Sequence, residues 1–155
     1  MTTMVNAQQT GFDDRNINWR RLGDFDHFTY TIFAIDEARE IADFSLKFES
    51  SERIFLHRHR AHTNTFVVAG EHRLYEPDGS LKETRPIGSF TASPASPDPH
   101  SEGGGEDGAV VIYNTRGSSD GVVFDVLDEQ QNTVGTLTFS DLTNLFAAQG
   151  NQPGR

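Results

Sequence analysis

The feature that most constrains the fold is a series of short β-branched and aromatic segments, separated by turn residues, along almost the whole chain. The first two are HFTYTIFAI (27–35) and IADFSLKF (41–48). The others are RIFLHRH (53–59), TFVVAG (65–70), HRLYE (72–76), RPIGSF (85–90), AVVIYNT (109–115), GVVFDVLD (121–128) and TVGTLTF (133–139). About eight to ten short strands with turns between them predict an all-β fold, either an antiparallel barrel or a double-sheet sandwich.

Two stretches depart from this pattern. SDLTNLFAAQG (140–150) has apolar residues at helical spacing, with Ser140 as a candidate N-cap and Gly150 as the candidate residue after the helix. Residues 91–108 are rich in proline and glycine, which predicts a loop and argues against a regular central strand.

The length of 155 residues is typical of one domain. We interpret residues 1–16, which are polar and aperiodic, as a flexible arm, residues 17–150 as the domain, and residues 151–155 as a disordered tail. The N-terminus has no basic region followed by an apolar run, and no apolar stretch approaches the roughly 20 residues of a membrane-spanning helix. We therefore expect a cytoplasmic protein.

Charge and composition restrict the partners. The formal net charge of −10, from 13 basic and 23 acidic residues, argues against nucleic acid and against an anionic membrane surface. Cysteine is absent, so a metal ion could be held only by nitrogen and oxygen ligands.

The segment HRHRAH (57–62) holds three of the six histidines. If residues 53–59 form a strand, His57 and His59 share one face, about 7 Å apart along the backbone, and can converge on one ion. His62 falls in a short connection and could be an additional ligand. The alternative is a solvated loop in which the histidines have no joint role.

The arrangement of these segments resembles the cupin superfamily of jelly-roll barrels. The first cupin motif, G-x5-H-x-H-x3/4-E-x6-G, is matched by HRHRAHTNTFVVAG at His57, His59 and Gly70. The second, G-x5-P-x-G-x2-H-x3-N, is matched by GSFTASPASPDPHSEGG at Gly88, Pro94 and His100. The resemblance implies a single cupin domain with a short C-terminal helix.

The departures from these motifs define the expected ligand set. The glutamate of the first motif would fall at Thr63 or Asn64, and neither is a strong metal ligand. In the second motif, Ser96 stands at the internal glycine position, the histidine comes one residue late, and the closing asparagine is missing. The resemblance therefore implies a site of three histidines, His57, His59 and His100, as in the β-diketone-cleaving dioxygenase branch. It implies no catalytic residue beyond the metal ligands.

Three neutral imidazoles would leave a divalent ion with its full charge and with open positions. Such a site favours an anionic chelating ligand, for example the enolate of a β-dicarbonyl compound. Fe(II) is the favoured ion because it would allow oxidative C–C cleavage by O2, whereas Zn(II) would activate water; Ni(II) is a further candidate.

We therefore expect a dioxygenase whose partners are a small-molecule substrate and O2. The resemblance leaves open a non-catalytic, metal-binding sensor of the anti-sigma-factor type, and it implies a homodimer. Phe55, two residues before His57, would face the same side and line a pocket. Candidates by position for holding the ligands or lining the site are Asn64, Thr65, Tyr75 and Glu102.

Overall fold

Nine β-strands followed by one helix make up the part of the chain that the structure, a computed structural model, describes, namely residues 11–150. The strands are β1 (Phe28–Asp36), β2 (Ile41–Phe48), β3 (Leu56–His59), β4 (His62–Tyr75), β5 (Leu81–Pro86), β6 (Phe90–Ser93), β7 (Ser101–Arg116), β8 (Val122–Leu127) and β9 (Thr133–Thr138), and the helix is α1 (Phe139–Gln149). The predicted all-β fold with a short C-terminal helix is confirmed.

The strands form two antiparallel sheets. The larger has the order β1-β2-β7-β4-β5, with β6 also paired to β4, and the smaller has the order β3-β8-β9. Isolated bridges from Arg53 to Gly103 and from His57 to His100 connect the segment around β3 to the start of β7. This is the two-sheet arrangement of a jelly roll, as predicted, and it brings β3 and β7 together where the histidines lie.

Alternation of apolar residues explains the core. On β1, Phe28, Tyr30 and Ile32 are buried, and β2 contributes Phe44 and Phe48 to the same cluster. Burial of a large apolar side chain contributes about 1.5–3 kcal/mol. The core therefore fixes which face of each strand points inward, and with it the direction of the polar side chains on that face.

The helix begins before its predicted cap. Thr138, not Ser140, is the N-cap residue: its hydroxyl accepts a hydrogen bond from the Asp141 backbone N–H (3.0 Å), while the Asp141 carboxylate accepts one from the Thr138 N–H (2.9 Å). This reciprocal capping box satisfies two backbone donors. Gly150 directly follows the helix, as predicted, and has right-handed helical dihedrals (φ −57°).

Strand β4 is longer than predicted. TFVVAG and HRLYE, expected as two strands, belong to one strand, and His62 is its first residue instead of part of a connection. The pairing with β7 shifts at two irregularities, and Gly70, with φ +68°, stands at one of them. A glycine in this conformation lets the strand bend without ending.

Residues 91–108 were predicted as a loop, and this is wrong for residues 91–93, which belong to β6, and for residues 101–108, which belong to β7. Strand β7 begins at Ser101 and is central in the larger sheet. A side chain at Gly103 would overlap the backbone of Glu52, so the glycine permits a close backbone approach. The pairing with β4 passes from Gly104 directly to Ala109, so residues 105–108 form an excursion within the strand.

The expected arm and tail fall mainly outside the described residues, since 1–10 and all of 151–155 lie there. Residues 11–16 form no strand or helix, but the Asp14 carboxylate accepts hydrogen bonds from Trp19 Nε1 (2.9 Å) and Lys47 Nζ (2.6 Å). Within residues 11–150, no helix has the length and apolar character needed to cross a membrane.

Candidate metal centre

Three histidine side chains predicted as ligands lie together inside the barrel. His57 and His59 share a face of β3, and His100 is hydrogen-bonded backbone to backbone with His57 in both directions (2.9 Å each). The ring centroids are 5.0 Å apart for His57 and His59, 4.7 Å for His57 and His100, and 5.1 Å for His59 and His100. The histidines therefore form a compact triangle drawn from two distant segments.

A carboxylate joins this triangle. Glu102 lies two residues after His100, and its Oε2 atom is 2.8 Å from His57 Nε2, 3.4 Å from His100 Nε2 and 3.9 Å from His59 Nε2. The sequence predicts Glu102 only as a neighbour of a site made of three histidines. The structure adds Glu102 to the candidate ligands, because one ligand atom from each of the four residues lies within 4.8 Å of every other.

Hydrogen bonds to the outer ring nitrogens favour one tautomer of two histidines. His57 Nδ1 lies 3.1 Å from the Phe55 carbonyl oxygen, which can only accept a hydrogen bond. His59 Nδ1 lies 3.3 Å from the hydroxyl of Thr63, which can donate to the Ala61 carbonyl (3.2 Å). With Nδ1–H donating in each ring, the Nε2 lone pair faces the cluster, as a metal ligand requires.

The second oxygen of Glu102 has its own partners. Oε1 accepts hydrogen bonds from His72 Nε2 (2.8 Å) and from the Tyr113 hydroxyl. His72 stacks on Phe48 (centroids 5.5 Å apart), and Tyr113 stacks on Phe44 (5.0 Å). Because both donors are held by packing, the carboxylate is fixed with Oε2 toward the three histidines.

The protonation states suit metal binding. Burial lowers the pKa of His59 to about 4 and also lowers the pKa of His100, so both imidazoles are neutral at neutral pH. Burial alone would raise the pKa of Glu102, but hydrogen bonds from His100 and His72 hold that pKa well below its usual range, so the carboxylate is charged. Burial and the adjacent carboxylate raise the pKa of Tyr113 well above its usual range, so the phenol remains a donor.

The spacing of the donor atoms also fits one ion. Atoms bonded to one ion at about 2.1 Å lie about 3.0–3.4 Å apart in neighbouring octahedral or tetrahedral positions. The distances of 2.8 and 3.4 Å from Glu102 Oε2 to His57 and His100 are close to this range, and His59, at 3.9 Å, needs only a small side-chain movement. Three imidazoles and a carboxylate can therefore hold one metal ion.

An apolar cavity of about 50 Å³ adjoins the cluster. Phe55, predicted as a pocket residue, lines it together with Phe124, and the ring centroids of these two side chains are 5.7 and 5.8 Å from that of His57. A surface depression lined by Arg58 and Ser96 also reaches His59. The cluster thus lies between an apolar interior and the surface.

The remaining candidates lie elsewhere. His62 Nε2 is paired with Asn64 Oδ1 at 2.9 Å, and neither residue belongs to the cluster. Thr65 is buried and accepts a hydrogen bond from Arg85 (3.2 Å), and the Tyr75 ring lies under the Arg53 guanidinium, 5.7 Å from the ring centroid. These positions give the four residues structural contacts outside the cluster.

Three neighbours of the cluster were missed by sequence reasoning: His72, Tyr113 and Thr63. Each reaches the site from a strand other than β3, and their approach depends on sheet register, which the sequence does not display. The one signal in the sequence was His72 itself, a histidine two residues after Gly70 in a predicted strand segment; the structure shows that it is 1% exposed.

No protein-family model matches the sequence, and no curated protein matches it. Among solved structures, an RmlC-like cupin protein from Ralstonia eutropha JMP134 is similar over 94% of this chain and 92% of that chain, with a TM-score of 0.70 and 19% sequence identity. An acetylacetone dioxygenase from Acinetobacter johnsonii is similar over 96% and 97%, with a TM-score of 0.60 and 12% identity. The DMSP lyase DddQ from Ruegeria pomeroyi DSS-3 is similar over 66% and 57%, with a TM-score of 0.52 and 19% identity.

At these identities the similarity shows a shared fold, and the chain has the RmlC-like cupin fold. The similar structures include both a dioxygenase and a lyase. The fold alone therefore does not select a reaction, and function must be argued from the residues of the site.

Proposed function

We propose that this protein is a cupin that binds one divalent metal ion through His57, His59 and His100, with Glu102 as a fourth ligand. The convergence of three imidazole nitrogens and one carboxylate oxygen within 4.8 Å carries this proposal. The outer-nitrogen contacts of His57 and His59 leave their Nε2 atoms pointing at Oε2 of Glu102, and these atoms approach one another favourably only when a proton or a metal ion lies between them.

A buried ion pair is the competing explanation of the same residues. A carboxylate that served only to neutralise a buried charge would need one partner. Glu102 already has two donors, His72 and Tyr113, on its other oxygen. Three more imidazoles lie around Oε2, which is more than neutralisation of the buried carboxylate requires. Their presence supports a site for a metal ion.

Within this class, we propose a dioxygenase that cleaves a C–C bond in a small β-dicarbonyl or related enolisable compound. A bound Fe(II) ion would supply the redox chemistry with O2 that this cleavage needs. One carboxylate among the ligands leaves a divalent site with a net charge of about +1, which attracts a singly charged enolate. The apolar cavity beside His57 suits the hydrocarbon part of such a compound. The acetylacetone dioxygenase of the same fold supports this choice of substrate class.

The test of the metal site is the metal content of protein purified without a histidine tag. We expect about one equivalent of a divalent ion in the wild type and a loss of most of it in His57→Ala and His100→Ala. His62→Ala is the matched control, because His62 lies beside the same segment but outside the cluster. Unchanged metal content in both ligand variants would refute the site.

The test of the reaction is oxygen uptake. Protein loaded with Fe(II), Zn(II) or Ni(II) is mixed with acetylacetone and other small dicarbonyls under air. We expect consumption of O2 with the Fe(II) protein and none with the Zn(II) protein, because Zn(II) has no redox chemistry. If metal binds but no dicarbonyl supports O2 uptake, the dioxygenase proposal fails and the metal site stands.

A second candidate function is a metal-binding sensor without catalysis. The limited access to the cluster favours it: the side chains of His59 and His100 are only 17% and 15% exposed, and the adjoining cavity is about 50 Å³. A sensor would bind the ion and change its stability or its surface without turning over any substrate. Absent O2 uptake combined with a metal-dependent change in hydrogen exchange of the strands would support this function.

A further inference from the structure

The apolar cavity beside the cluster is lined by a buried hydroxyl, that of Thr115, which the proposed metal site does not use. Hydrophobic side chains make up most of its wall, including Phe28, Phe55, Phe124 and Leu142, and Thr115 on β7 also lines it. Thr115 is 1% exposed, and its hydroxyl oxygen has no hydrogen-bond partner among residues 11–150. Buried hydroxyl groups usually have a partner, so this one calls for an explanation.

The neighbours of Thr115 show why the protein leaves this hydroxyl unpaired. Its cross-strand neighbours are Ala42 on β2 and Thr63 on β4. Ala42 has no polar side-chain atom, and the Thr63 hydroxyl is already paired with Ala61 and His59. By contrast, the buried hydroxyl of Ser45 donates to the Val111 carbonyl (2.9 Å). The larger sheet therefore provides an acceptor for the Ser45 hydroxyl but none for the Thr115 hydroxyl, and Thr115 lines the cavity.

We propose that the Thr115 hydroxyl is a ligand-binding group that donates a hydrogen bond to an uncharged oxygen of a small organic ligand held in this cavity. This inference deepens the proposed function, because the cavity adjoins the metal ligands His57, His59 and Glu102. Apolar walls disfavour a charged group at this end of the ligand. A cavity of about 50 Å³ admits only a few non-hydrogen atoms. The ligand class is therefore a short carbonyl compound whose hydrocarbon part and one oxygen enter the cavity.

Two probes distinguish filling of the cavity from hydrogen bonding to the Thr115 hydroxyl. Acetone has a carbonyl oxygen that can accept from Thr115, whereas xenon fills an apolar cavity without hydrogen bonding. Each is titrated into the metal-free protein and followed by backbone amide chemical shifts. We expect both probes to shift residues that line the cavity, among them Phe124 and Leu142.

The variants are Thr115→Val, which keeps the shape, and Thr115→Ser, which keeps the hydroxyl; Thr133→Val on the exposed strand β9 is the control. We expect Thr115→Val to weaken acetone binding about threefold to tenfold, which corresponds to the loss of one neutral hydrogen bond. Xenon binding should be retained in Thr115→Val, and acetone binding should be retained in Thr115→Ser. Because the valine removes an unpaired buried polar group, this variant should fold with a Tm equal to or above that of the wild type.

Equal acetone affinity in the wild type and Thr115→Val would overturn the proposal, as would acetone shifts that do not map to the cavity. These measurements use metal-free protein, so they are independent of metal loading and of oxygen uptake. A failure of the metal site or of the dioxygenase reaction would leave the acetone result unaffected. A negative acetone result with intact metal binding would refute only the role of Thr115.

Discussion

His72 Nε2 lies 2.8 Å from Oε1 of Glu102, on the side of the carboxylate opposite to the three clustered histidines. The two residues come from different strands, β4 and β7, and both are almost completely buried. His72 therefore orients the carboxylate without touching the site where an ion would lie. This relationship leads to the first of four predictions.

Replacement of His72 by phenylalanine should weaken metal binding about 10-fold to 100-fold, because outer-shell partners of ligands have effects of this size. Phenylalanine retains the ring that stacks on Phe48 and removes the donor to Glu102. Affinity is measured by competition with a chromophoric chelator. An affinity equal to that of the wild type would show that His72 does not position the carboxylate.

The Glu102→Gln variant tests whether the carboxylate is a ligand or a bystander. If the carboxylate is a ligand, the metal affinity falls and the visible spectrum of the Co(II)-substituted protein changes, because one donor atom has been replaced. Glu106→Gln, at an exposed position of the same strand, is the control. An unchanged Co(II) spectrum and affinity would restore the site of three histidines alone.

Removal of the Tyr113 hydroxyl should destabilise the metal-free protein. This hydroxyl donates to the buried, charged Glu102 carboxylate, and hydrogen bonds to charged groups contribute about 1.5–3 kcal/mol. Tyr113→Phe retains the stacking on Phe44. The free energy of unfolding is measured by urea denaturation, and a change below about 0.5 kcal/mol would mean that the bond adds nothing net.

The stability of the metal-free protein should fall as the pH is lowered from 7 to 5. Burial lowers the pKa of His59 to about 4, whereas an imidazole in the unfolded chain has a pKa of about 6.5. Between these values the unfolded state binds a proton that the folded state does not, so the free energy of unfolding decreases as the pH falls. The expected loss from His59 is on the order of 1–2 kcal/mol by pH 5.

The control for this pH dependence is His59→Gln, which cannot titrate. Urea denaturation of both proteins at pH 7, 6 and 5 gives the comparison. We expect a smaller decrease in the free energy of unfolding for the variant over this interval. The same decrease in both proteins would assign the pH dependence to other groups.

Part of the site could be predicted because strand periodicity is visible in sequence. Residues two apart on a strand face the same way, which was enough to place His57 and His59 together. The same rule places Glu102 on the face of His100. It was not applied there because the glycines that follow predicted a loop. Glycine in a strand can instead mark a close backbone approach, as Gly103 does against Glu52.

The rest of the site depends on sheet register, which is set by packing over the whole fold. His72 meets Glu102 only because β4 and β7 pair with Leu74 opposite Glu102. Tyr113 and Glu102 lie on the same strand, on either side of the 105–108 excursion, and no local sequence pattern predicts their contact. The binding of a metal by these residues, the homodimer and the reaction with O2 stay predictions.

Strand β7 carries His100 just before its start, and Glu102, Tyr113 and Thr115 within it. Since side chains alternate at every residue, a slip of this strand by one position would turn all of these groups outward together. Partial misfolding at this strand would thus yield a centre with no affinity, not one of intermediate affinity. Binding of a coloured ion such as Co(II) could therefore serve as a folding assay. The number of equivalents bound would measure the fraction of molecules in which β7 has its native register.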